Sequence, residues 1–148
     1  MKRPGRRVMD IMDSCRDCVF ITHTGEGYAR ARTMNKLQDN DRSGGIMWFA
    51  TDRKSRKAKE IKANPRTTLF FTHAGTHDHV CVFGVSAIAA EPEVKERFWK
   101  DEWSRYWKGG PQDPDYVLVK FIPEKGEFFF NEEAQTGVID FKAGREAG

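Results

Sequence analysis

The sequence predicts an α+β protein: six or seven strands and three helices forming an antiparallel, barrel-like sheet. Two observations predict it. The β-prone runs follow one another mostly strand next to strand, and short links rich in glycine, proline and polar residues join them, as in sequential hairpins. Closing such a sheet into a barrel removes the exposed edges that an open sheet would offer to other chains.

Val8, Ile11, Met12 and Cys15 recur at helical spacing and mark an amphipathic helix near residues 6–16. Residues 19–22 are β-prone, and Gly25-Glu26-Gly27 turns the chain into a second strand over 28–35. A polar, glycine-terminated loop over 38–45 precedes a third, apolar and aromatic strand at 46–51. A helix over 55–63 then stops at Asn64-Pro65, because the residue before a proline avoids helical geometry. Strands follow at 66–73 and 79–90, joined by a polar link containing Gly75. Pro92 suits the first turn of a helix, expected over 93–107 with Trp99, Trp103, Tyr106 and Trp107 as one aromatic stripe. Gly109-Gly110-Pro111 ends it, and 117–122 with 127–131 read as a closing hairpin about 123–126.

The 148 residues suit one domain, with 39% hydrophobic and 32% charged residues. The expected division is a flexible start at 1–7, a barrel domain over 8–131 and a tail over 132–148. No apolar run reaches the roughly 18 residues of a membrane span, and the start lacks the apolar stretch of a secretory signal. A cytoplasmic protein without membrane contact is the expectation. Three cysteines are too few for a disulfide framework. Cys15 and Cys18 form C-x-x-C, but at a helix's end, where no dipole stabilises a thiolate; they read as ordinary thiols. His23, His73, His77, Asp78 and His79 complete no familiar ligand set, so no metal is expected.

The charge is uneven although its net value is only +3. Arg53, Lys54, Arg56, Lys57, Lys59 and Lys62 crowd into ten positions with only Glu60 opposing them. A helix N-terminus carries partial positive charge and unpaired N–H donors, so cations on its first turn cost stability unless an anion sits nearby. A terminal phosphate, with close to two negative charges, reverses that penalty. Arg56 supplies a planar fork, Lys57 a mobile point charge, and Ser55 or Thr51 a hydroxyl. Arg30 and Arg32, two apart on a strand, share a face and add a second basic element. The competing reading is a solvated basic helix, or a nucleic-acid contact that weakens steeply with salt; no nucleic-acid partner is expected.

Ser55-Arg56-Lys57 with Ile61 and Asn64-Pro65-Arg66 resembles the signature of the pyridoxamine 5′-phosphate oxidase-like FMN-binding split-barrel family. Arg32-Thr33-Met34 is similar to that family's first FMN strand. Gly109-Gly110-Pro111, Asp113-Pro114-Asp115 and Val117-Leu118-Val119 look like its bacterial general stress protein branch. The resemblance spans about residues 8–131 and implies a split barrel, FMN as cofactor, and a homodimer with FMN at the interface. It further implies that Arg56 and Lys57 grip the phosphate, that Arg32, Thr33, Met34 and Asn35 line the cofactor, and that Thr51 adds a contact. His79 stands where the oxidase has a glutamine near the flavin. The oxidase's C-terminal segment, with an arginine and a histidine closing over pyridoxal phosphate, has no counterpart after Phe130, where the chain offers Arg145 and no histidine; synthesis of pyridoxal phosphate is not expected. The implied function is FMN-mediated hydride or electron transfer to or from a small molecule, for which no acid–base pair is required and no catalytic residue is assigned. The alternative is a non-catalytic flavin-binding or stress-sensing protein, and relatives with this barrel also bind a deazaflavin or heme.

Overall fold

In the computed structural model, which describes residues 3–39 and 43–142, the chain starts with helix α1, Pro4–Ser14. Pro4 occupies the first turn, where its missing N–H is not needed. Val8, Ile11 and Met12 point into the core as their spacing predicts, and the expected loose start is helical from Pro4 onward. Strand β1, Asp17–His23, pairs antiparallel with β2, Ala29–Asn35. The turn between them takes Gly27 through φ 88° and is held by Thr24, whose hydroxyl accepts the N–H groups of Glu26 and Tyr28. Strand β3, Met47–Asp52, leads into helix α2, Arg56–Ala63. Strands β4, Arg66–Thr72, and β5, His79–Ala89, follow; then helix α3, Pro92–Phe98, strand β6, Tyr116–Phe130, and strand β7, Gln135–Asp140.

All pairings are antiparallel, in the order β2-β1-β4-β5-β6-β3, with β7 also on β6. The first half of β6 carries β3 and its second half carries β7 on the same edge, while β5 runs along the other. Just beyond β2, the Leu37 N–H donates to Trp48 O on β3 at 2.9 Å, so the two end strands of the sheet meet without a full ladder. This is the split-barrel architecture that the sequence predicts.

Three expectations need correction. Residues 117–122 and 127–131 form no hairpin; both belong to the single strand β6. Between Phe83↔Lys125 and Gly84↔Pro123 the register shifts, leaving Glu124 as the extra residue of a bulge. Proline and glycine mark this kink as readily as a turn, because a bulge relaxes the ladder locally. Gly84 is needed there: a Cβ would lie 2.3 Å from Ile122 O. The tail expected after residue 131 instead turns at Asn131–Ala134 and returns as β7, so the sheet runs past that boundary. Finally, the helix expected over 93–107 ends at Phe98. Trp99 is extended at φ −60° and ψ 138°, and a 3-10 turn, Asp101–Arg105, follows.

Two cores result. One, under α1, packs Val8, Phe20, Phe49, Leu69, Phe71 and Phe121 inside the barrel. The other gathers the tryptophans around fully buried Tyr116, whose ring centre lies 5.1–5.7 Å from those of Trp99, Trp103 and Trp107. The aromatic spacing thus describes a real packed face, made by folding around Tyr116.

Candidate functional site

The turn from β3 to α2 is built by its own polar side chains. Asp52 accepts the Lys54 N–H at 2.8 Å and the Trp107 indole N–H at 3.2 Å, and its carbonyl accepts the Ser55 N–H at 3.0 Å. Ser55 caps α2 by accepting the Ala58 N–H at 3.3 Å, which is why the helix starts at Arg56. No acid lies in the first turn of α2.

Above this cap, Thr51 Oγ1 lies 3.2 Å from Ser55 Oγ and accepts a hydrogen bond from Lys57 Nζ at 3.0 Å. The Lys57 ammonium is half-buried. Burial lowers its pKa, the charge of Arg32 lowers it further, and Asp52 partly opposes both. Among the described residues its hydrogen-bond partner is a neutral hydroxyl, and no carboxylate lies within ion-pair distance. Arg56 is exposed on the same turn, close enough for its charge to act on Arg32.

Arg32 comes from β2. Its Nη1 donates to Phe20 O at 3.0 Å and to Thr22 Oγ1 at 2.9 Å, and its Nη2 to Glu60 at 3.4 Å. Arg30 Nε donates to the other Glu60 oxygen at 3.0 Å, and Thr22 Oγ1 donates to Glu60 at 2.7 Å. Burial works to raise the Glu60 pKa, but the hydrogen bonds from Thr22 and Arg30 and the two arginine charges outweigh it and hold the carboxyl below its ordinary range.

The structure therefore brings Arg32, Thr51, Ser55, Arg56 and Lys57 together. It separates the other expected residues. Strand alternation turns Arg32 and Met34 inward, with Met34 packed against the core, and Thr33 and Asn35 to the opposite face, where Asn35 donates to Asp17 at 3.0 Å. His79 lies on that opposite face between Phe70 and Phe129, at ring distances of 5.3 and 5.4 Å. It lines a cavity of about 460 Å³ with Cys81, Glu127 and Val138, and its Nδ1 is buried without a partner among the described residues. Sequence reasoning missed Thr22 and the bridging role of Glu60. The signal for Glu60 was its isolation in a basic run; Thr22 became visible only through the β1–β2 register.

The basic run does not form one continuous face. Arg53 and Lys54 both pair with Asp115, at 3.0 and 3.3 Å. An open groove of about 930 Å³ lies beyond the far end of β2, lined by Arg16, Asn35, Lys36, Arg97, Trp99 and Lys100 among others. Cys15, Cys18 and Cys81 are free; burial pushes the Cys18 thiol up to about 12. Among the described residues no group of three His, Cys, Asp or Glu is placed to hold a metal, and no helix is long and apolar enough to cross a membrane.

An antiparallel split barrel with a cationic cradle at the head of a helix defines the class. The chain belongs to the pyridoxamine 5′-phosphate oxidase like family, whose model matches residues 4–143. It is 27% identical over 122 residues to general stress protein 26 of Bacillus subtilis, covering 80% of this chain and 83% of that protein. Two solved structures share the fold. A protein related to general stress protein 26, of the pyridoxinephosphate oxidase family, from Clostridium acetobutylicum superposes with TM-score 0.77 at 20% identity, covering 93% of this chain and 94% of that one. A pyridoxamine 5′-phosphate oxidase-related, FMN binding protein from Nostoc punctiforme superposes with TM-score 0.69 at 14% identity, covering 94% and 97%.

Proposed function

We propose that this protein binds FMN as a cytoplasmic homodimer and uses it for hydride or electron transfer with a small molecule. The observation that carries the reading is the half-buried Lys57 ammonium, hydrogen-bonded to Thr51 and near the Arg32 charge, with no carboxylate at ion-pair distance among the described residues. A cation set in that way asks for an anion, and the Ser55 and Thr51 hydroxyls beside it suit phosphate oxygens. Membership of the family, with the likeness of the fold to the FMN binding protein from Nostoc punctiforme, supports the choice of phosphate ligand.

The residues fit the group. Lys57 and Arg32 would hold the terminal phosphate, Arg56 would close over it from solvent, and the Thr51 and Ser55 hydroxyls would donate to its oxygens. Bound there, FMN would supply the redox chemistry, and the chain would supply binding and orientation. The groove beyond Asn35 offers room for the small-molecule partner. The homodimer draws on the outer sheet face, where Val19, Ile21, Phe70, Phe83, Val85 and Phe129 lie only half-buried across β1, β4, β5 and β6. His79, whose Nδ1 has no partner among the described residues, belongs to the same face. The cytoplasmic setting accords with three free thiols.

An absorbance spectrum and an FMN titration test the reading. Purified protein is expected to be yellow, or to turn yellow on adding FMN, and Lys57→Ala to weaken FMN about tenfold to a hundredfold, the range for a charge-assisted contact. A colourless protein that refuses FMN overturns it, and a Soret band would replace FMN with heme. Anaerobic NADPH or NADH then separates transfer chemistry, in which the flavin bleaches, from a binding or sensing role, in which it does not.

A further inference from the structure

We propose that Glu60 is the positioning residue of the anion site: it holds Arg32, and through Arg32 sets the grip on a ligand's terminal phosphate. This rests on the FMN reading above and assigns a role that the cations alone do not explain.

Glu60 is the one acid among residues 53–62, and it lies one turn below Arg56 and Lys57 on α2. An acid kept for helix surface pairing would face water. Glu60 instead turns inward, its side chain 14% exposed, and spends both oxygens on β1 and β2. Burying a carboxylate is costly unless donors surround it, and here Thr22, Arg30 and Arg32 do so.

The consequence falls on Arg32. Phe20 O, Thr22 Oγ1 and Glu60 occupy one side of its guanidinium. Thr22 works as a relay, accepting from Arg32 and donating to Glu60. The plane of the fork is thereby fixed, while among the described residues no acceptor engages its Nε–H. Arg32 is held ready with donors left over. Burial lowers the Arg32 pKa and the Glu60 charge counters this, so the carboxylate also favours the charged fork that a phosphate needs. Glu60 carries a charge that repels a phosphate too, and its positioning role requires that fixing the fork outweighs this repulsion.

The test is flavin fluorescence titration of Glu60→Gln, Glu60→Asp, Arg32→Ala and Lys57→Ala, with FMN and riboflavin as ligands and inorganic phosphate as competitor. Glu60→Gln is expected to lower the FMN-to-riboflavin affinity ratio about tenfold and to raise the inhibition constant of inorganic phosphate by a similar factor. Glu60→Asp should recover part of the ratio. An unchanged or tighter FMN affinity in Glu60→Gln, or an equal loss for FMN and riboflavin, overturns the positioning role. If Arg32→Ala and Lys57→Ala both leave FMN affinity intact, the FMN site itself is wrong. If they weaken it while Glu60→Gln does not, only the role of Glu60 falls.

Discussion

Ser55 does two jobs with one hydroxyl: it caps α2 and it stands 3.2 Å from Thr51 in the cationic cradle. Ser55→Ala is expected to cost about 1 kcal/mol of stability in chemical denaturation, from the lost cap, and Ser55→Thr should restore it. Single residues also explain the backbone irregularities. Gly84 sits where a Cβ would meet Ile122 O at 2.3 Å, so Gly84→Ala should destabilise by about 2 kcal/mol or more, read as a lower denaturation midpoint. Ser86 behaves oppositely. Its buried hydroxyl has no partner among the described residues, and Ser86→Ala should be neutral or slightly stabilising in the same assay. The cationic residues of the site were legible one by one, because a basic first turn is anomalous for a helix. Glu60 was visible as an isolated acid, yet which cations it bridges was not, since that depends on the strand lying opposite.

At the scale of elements, α1 is tied to the far end of the sheet. Asp78, 3% exposed, accepts the Asn131 N–H at 2.7 Å and pairs with Arg7 at 3.0 Å; Arg7 also pairs with Glu133 and lies over the Phe130 ring. One carboxylate thus fastens the β4–β5 link, the start of the β6–β7 turn and the N-terminal helix. Burial works to raise its pKa, but the Asn131, Arg7 and Thr76 hydrogen bonds outweigh it, leaving the group below its ordinary 3.8. A carboxyl depressed on folding stabilises above its unfolded value and loses that contribution as pH falls through the folded one. Glu60 has the same sign. Stability is therefore expected to hold on the neutral side and to fall below about pH 4, and Asp78→Asn should flatten that acid limb in a pH series of thermal melts. Elements were read well where periodicity was unambiguous, as in α1, α2 and β1 to β5. They were misread where a local signal had two structural meanings. Pro123 and Gly126 serve a bulge as well as a turn, and the aromatic spacing of 99–107 serves a cluster about Tyr116 as well as a helix.

For the molecule as a whole, the half-buried apolar outer face and the inward cationic cradle belong to opposite sides of one sheet. On the proposed reading the outer face is covered by a second copy. Phe83→Glu, which puts a charge in the middle of that face, is expected to shift the protein from dimer to monomer in sedimentation and to weaken FMN at the same time. A dimer that persists with unchanged FMN affinity would remove this face from the interface. The two cores supply an alkaline counterpart to the acid limb. Burial raises the Cys18 and Tyr116 groups to about 12 each, so both favour the neutral form on folding. Their contribution is complete below the unfolded values and declines as pH rises toward 12.

Residue order alone determined the α+β class, the antiparallel succession of strands and the basic helix after the third strand. These follow from local causes: side-chain periodicity, proline and glycine geometry, and the field at a helix start. Tertiary structure alone decided that β6 runs through its bulge, that residues 135–140 complete the sheet, and that Arg32 faces Lys57 while Thr33, Asn35 and His79 face away. Those outcomes depend on strand register, and register is set by partners distant in the chain, where a shift of one residue exchanges the two faces of a strand.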